Sequence, residues 1–287
     1  MAVYKRTYRG YSGGLTTHWS RFLVLYRYAR RNLFKSKFLT TLLNLCLIFP
    51  LLCLLGIYAN DHMSVFSFLG QRPNGPLFKV DGGFFLYFLS AQSSLAFILT
   101  AFIGPGLISP DLSNGALTLY LCRPLSRLEY VLGKMSVLAI VLSWVTWIPG
   151  LVLFFVQGCL AGWAWMAANL WIVAGILFGS WIWILSIALL AMALSAYVKW
   201  RIAAGALLLG FLFLGAGFAQ AINRVLQTQQ GYLIDVSKLI NIIWQDLFHD
   251  SGERALPAGE AWFGLLAFAA LCFYLLMKKI RANEVVR

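Results

Sequence analysis

Charge is the scarcest ingredient of this chain: only 11% of its 287 residues are Asp, Glu, Lys or Arg, while 61% are hydrophobic. That scarcity, with a mean hydropathy of +0.77, excludes a water-soluble domain and points to an integral membrane protein. Acid is rarer still, ten Asp and Glu against 23 Lys and Arg. A net charge of +13 would suggest nucleic acid in a soluble protein, but here the placement of the charges decides otherwise, and no nucleic-acid partner is expected. Catalytic signatures are missing too. There is no G-x-x-x-x-G-K-[ST] phosphate loop, no His/Glu zinc motif and no nucleophile elbow, so the chain is not expected to be an enzyme, and no catalytic residue is assigned. The five cysteines (Cys46, Cys53, Cys122, Cys159, Cys272) lack metal-ligand spacing and mostly lie in apolar runs, which makes them packing or lipid-facing residues; no metal is expected. The histidines, His18, His62 and His249, are scattered over a tail and two connections. The first 37 residues have no apolar core of a signal peptide.

What is present is apolar length. Six stretches, about 38–58, 84–108, 131–157, 168–197, 203–223 and 261–277, are long enough to cross the hydrocarbon, with tilt or a kink at Pro50, Pro105 or Pro149. Before them, Trp19, Phe22, Leu23, Tyr26, Leu33 and Phe34 recur at helical spacing opposite Arg27, Arg31 and Lys35. This predicts a basic amphipathic helix over 18–37, lying against headgroups after a basic tail at 1–17. The spans, within 38–287, alternate sides, and their connections sort the charge. One face collects 18 of the Lys and Arg, whereas the other has five together with seven of the ten acids. The positive-inside rule puts both termini in the cytosol of a multi-pass protein, and the inner (cytoplasmic) membrane is the expected location. On the outer side, Val236, Leu239, Ile240, Ile243, Trp244 and Leu247 keep a helical period between Asp235, Lys238 and Asp246. Those charges rule out a seventh span. They leave an amphipathic helix in the outer leaflet or a re-entrant turn packed on protein.

No Asp, Glu, Lys or Arg lies within the spans away from their ends, which disfavours an ion-coupled carrier or channel. Asn44, Gln92, Ser93, Ser94, Gln157 and Asn169 supply the polarity there; hydrogen bonds between helices are the simpler reading, and substrate contact by Gln92, Ser93 and Ser94 is the sharper one. The stretch 108–134, I-S-P-D-L-S-N-G-A-L-T-L-Y-L-C-R-P-L-S-R-L-E-Y-V-L-G-K, is the longest polar interruption on the basic side. It carries two helix-start signals, Ser109 before Pro110 and Asp111, and Ser126 three residues before Glu129 as a capping box. Gly104-Pro105-Gly106 should bend the second span just ahead of it.

This stretch resembles the connection between the second and third spans in permease subunits of type 2 ATP-binding-cassette exporters. The residue-level likeness is confined to Ser109 through Lys134, whereas the topology is alike over nearly the whole chain. The resemblance implies an all-α protein of six transmembrane helices, with an N-terminal elbow helix and an amphipathic or re-entrant outer segment before the last span. It implies a coupling helix that seats in a cytosolic ATPase subunit, built from Asp111, Gly115, Ala116, Leu117, Leu119, Arg123, Pro124, Arg127, Tyr130 and Lys134. For Arg123 and Arg127, anchoring in lipid headgroups is the competing role. Tyr197, Lys199 and Arg201 would form a second cytosolic contact. The resemblance further implies a second permease as partner, the same chain or a homologue, and a substrate path lined by the second and fifth spans. ATP and Mg would reside on the partner ATPase, with no cofactor in this chain. The alternative is a multispan scaffold or assembly factor that transports nothing and tolerates changes at Gly115 and Leu119.

Overall fold

The structure is a computed structural model that describes residues 36–62, 78–115, 126–250, 252 and 254–282. The expected tail at 1–17 and all but the last two residues of the expected elbow helix at 18–37 lie outside the described residues. Among the described residues the regular structure is entirely helical: α1 (Lys37–Asp61), α2 (Gly82–Ile103), α3 (Pro105–Ser113), α4 (Arg127–Val145), α5 (Trp147–Ala161), α6 (Trp163–Ala168), α7 (Leu170–Tyr197), α8 (Arg201–Leu226), a 3-10 turn (Gln230–Ile234), α9 (Val236–Leu247) and α10 (Ala258–Ala282). Six spans are long and apolar enough to cross a membrane: α1, α2 with α3, α4 with α5, α7, α8 and α10. The third starts at Arg127, ahead of its apolar run, because the Ser126 hydroxyl accepts the Glu129 N–H and the Glu129 carboxylate accepts the Ser126 N–H at 2.7 Å. α7 is apolar on every face and sits at the centre, touching α2, α3, α4, α5, α8, α9 and α10.

The prolines shape the spans in three different ways. α1 runs unbroken through Pro50, the second span breaks at Gly104 just before Pro105, and the third breaks at Thr146, three residues before Pro149. A helical proline brings no N–H and crowds the carbonyl four residues earlier, so Pro50 orphans the Cys46 carbonyl and Pro149 orphans that of Val145. One side chain answers both. The Gln92 amide Nε2 on α2 donates to the Cys46 carbonyl at 2.9 Å and to the Val145 carbonyl at 2.7 Å, with Gln92 wholly buried. Gln92 therefore staples the first three spans by supplying the N–H groups that two prolines withhold.

The segment after α8 folds back on the bundle. Beyond Leu226 the chain turns through Gln227 in the left-handed region, with φ 48°. It then runs back along α8: Gly231 packs on the Ala219 carbonyl and donates its N–H to the Asn223 side-chain oxygen, and Ile234 reaches Gly215. There Asp235 caps α9 by accepting the Ser237 and Lys238 N–H groups at 3.0 and 3.1 Å. α9 climbs back with its apolar face on the bundle, and the Trp244 indole donates to the Gly179 carbonyl at 2.9 Å. A Cβ at Gly179 would stand 3.0 Å from the indole ring, so a larger residue there would press the tryptophan away from its bond. The segment is thus a hairpin folded back on α8 and packed on α7, α8 and α10.

Candidate functional site

Two polar constellations stand out in an apolar molecule, and they lie at different heights. The first surrounds α3. Pro105 withholds its N–H from the Ala101 carbonyl, and that oxygen faces the backbone of Gly205 on α8, where a Cβ would come within 2.7 Å. The neighbouring Phe102 carbonyl accepts from the Arg201 guanidinium at 3.0 Å. Further along, the buried Ser195 hydroxyl of α7 accepts the Ser109 N–H at 2.9 Å and lies 3.1 Å from the Pro105 carbonyl. Ser109 answers with its own hydroxyl, 2.7 Å from the Val198 carbonyl. The helix start expected at Ser109 is therefore displaced to Pro105. Ser109 lies inside α3 and bonds to α7, because the Gly104 break already frees the backbone there.

At the end of α3, the Asp111 carboxylate Oδ2 lies 2.8 Å from the Lys134 ammonium and accepts the Tyr130 hydroxyl at 2.8 Å. Lys134 also stands over the Tyr130 ring. The Lys134 and Asp111 side chains are only 11% and 16% exposed, so little water screens the pair. Three residues expected to face an ATPase, Asp111, Tyr130 and Lys134, engage one another across the connection and tie α3 to α4. Gly115 ends the described part of the segment at φ +66°, a backbone that favours glycine. Ala116, Leu117, Leu119, Arg123 and Pro124 lie outside the described residues. Arg127 opens α4. In the second expected contact, Tyr197 is half exposed and donates to the Leu275 carbonyl of α10 at 3.2 Å, Lys199 is exposed, and Arg201 has its bond to Phe102.

The second constellation is a cleft of about 470 Å³ between α2, α7, α8 and α9. Ser90, Ser93 and Ser94 line it from α2, and Ser237 and Asn241 line it from α9. The Ser93 and Ser94 hydroxyls both donate to the Ser90 carbonyl, at 2.9 and 3.0 Å. Gln92 is absent from this wall. It points into the packing of the first three spans, so of the three residues expected on a substrate path Ser93 and Ser94 line this cleft and Gln92 does not. Of the small residues on α8, Gly205 receives the Ala101 carbonyl, while Gly210 and Gly217 face open space.

No protein-family model and no curated protein matches this chain. Sequence reasoning missed Ser195, Val198, Ser237 and Asn241. The i, i+4 spacing of Ser237 and Asn241 on the polar face of α9 was a usable signal. Ser195 offered none, since one serine near a span end looks like any other.

Proposed function

We propose that this chain is the transmembrane permease subunit of an ATP-binding-cassette exporter, which moves substrate across the inner membrane with energy from ATP hydrolysed by a separate cytosolic ATPase. Both termini face the cytosol, and two such subunits pair around the substrate path. The observation that supports this reading is the bonding at this end of the second span: α3 is tied to α4 by Asp111, Tyr130 and Lys134 and to α7 by Ser109 and Ser195, while Arg201 of α8 holds the Phe102 carbonyl at the end of α2 just before it. A second span bonded at this end, through α3 and the last turn of α2, to the third, fourth and fifth spans passes a displacement on to all three, which rigid-body alternating access requires. Asp111 serves in this device as an internal tie. The coupling surface offered to the ATPase is then the stretch from Gly115 to Pro124 with Arg127, and Tyr197, Lys199 and Arg201 stand beside it as the second contact.

The test is reconstitution of the tagged chain with the ATPase encoded beside it. The ATPase subunit should co-purify with the wild type, and Leu119→Asp should abolish both the association and the ATP hydrolysis it supports. If no ATPase associates with the wild type, or if it associates equally with Leu119→Asp, the chain is not such a subunit.

A further inference from the structure

The cleft beside α9 has a chemical character that narrows what can enter it. None of the described residues that line it is Asp, Glu, Lys, Arg or His. Its body is apolar and aromatic, with Phe97, Ile187, Leu209, Leu212 and Trp183 among the walls, and exposed Phe213 and Ile98 at its rim open it to the outside of the bundle. Into this greasy space project two short polar stripes, Ser90 and Ser94 from α2 and Ser237 and Asn241 from α9. Among the described residues no hydrogen bond holds the half-buried Asn241 amide or the exposed Ser237 hydroxyl. A primary amide carries two donors and an acceptor, and leaving them unmatched in an apolar setting is unfavourable. A volume of about 470 Å³ falls within the range of roughly 300–1,000 Å³ for small-molecule sites.

We propose that this cleft binds an uncharged amphiphile, an apolar chain bearing a hydroxyl- or amide-type head that pairs with Asn241 and the serines. A charged head is excluded by desolvation, because no lining side chain neutralises it. The hairpin acquires a purpose from this. It delivers a polar stripe to the level of Gly215 without placing a charge in the cleft, as Asp235 is held by its own helix start and Lys238 stands over the Tyr232 ring. That this ligand is also the cargo rests on the transporter reading above; its binding does not.

The experiment titrates the purified full chain in neutral nanodiscs with three brominated probes of equal chain length: a monoacylglycerol, a fatty-acid anion and an alkyltrimethylammonium. Bromine quenches nearby tryptophan, and the share of quenching lost in Trp183→Phe reports the cleft. The monoacylglycerol should quench saturably, with both charged probes at least tenfold weaker. Asn241→Leu should weaken the monoacylglycerol about tenfold, the loss of about one hydrogen bond, at unchanged thermal stability. Equal affinity of the three probes, quenching that never saturates or is insensitive to Trp183→Phe, or indifference to Asn241→Leu would each overturn the proposal. An ATPase that co-purifies while the probes fail removes the ligand class and leaves the transporter. Selective binding without any ATPase keeps the ligand site and removes the transport role.

Discussion

The polar groups around α3 and those in the cleft are made of similar residues and differ in what they touch. Around α3 the serines, the carboxylate, the ammonium and the guanidinium all find partners inside the chain, on three different spans. In the cleft, Ser237 and Asn241 meet open space. Burial alone does not separate the two, since Ser93 is as enclosed as Lys134. The separating property is satisfaction. A paired polar group in an apolar setting fixes geometry, whereas an unpaired one retains the capacity to bind something that arrives later.

That contrast can be broken by removing groups one at a time and following unfolding of the purified protein. The largest loss is expected for Lys134→Met, which strands the Asp111 carboxylate and should cost about 2–4 kcal/mol; adding Asp111→Asn should return most of it. A double change no more stable than the single one would show that the pair is not a tie. Gln92→Leu should cost about 1–3 kcal/mol, because two proline-freed carbonyls lose the same side-chain donor at once. A cost near zero would mean that water or backbone relaxation serves those carbonyls equally well. Ser109→Ala and Ser195→Ala should each cost about 1 kcal/mol, and the double variant should cost clearly less than their sum because they share one network. Smallest of all is Asn241→Leu, expected within about 0.5 kcal/mol of wild type, since no internal bond is lost. A large destabilisation there would place Asn241 with the α3 cluster and remove its claim to a ligand.

The spans were legible in the sequence because a hydrocarbon-crossing helix requires an uninterrupted apolar run, and the Ser126–Glu129 box was legible because capping is local. The break at Gly104 announced itself through Gly-Pro-Gly, whereas Pro149 advertised its break three residues late, since the strain falls on the turn before the ring. Asp111 was harder. Its type and position suited a partner protein, and nothing local reveals that Lys134, 23 positions away, lies 2.8 Å from it. Asp235 and Lys238 correctly argued against a seventh span, yet the hairpin that they begin depends on Gly215, Ala219 and Gly179 being small on two other helices. Patterns within one helix are written in the sequence; pairings between helices follow from how the helices meet.

The amide of Gln92 carries a consequence for how this chain can change over generations. Pro50, Gln92 and Pro149 sit on three spans, and each is tolerable because of the others: the prolines create the vacant carbonyls, and the carbonyls give a buried glutamine amide its partners. Among descendants of this sequence the three positions should be inherited as a set, with a proline lost before or together with the glutamine. A lineage that keeps both prolines and replaces Gln92 with leucine should be found only where another donor has taken up the two oxygens.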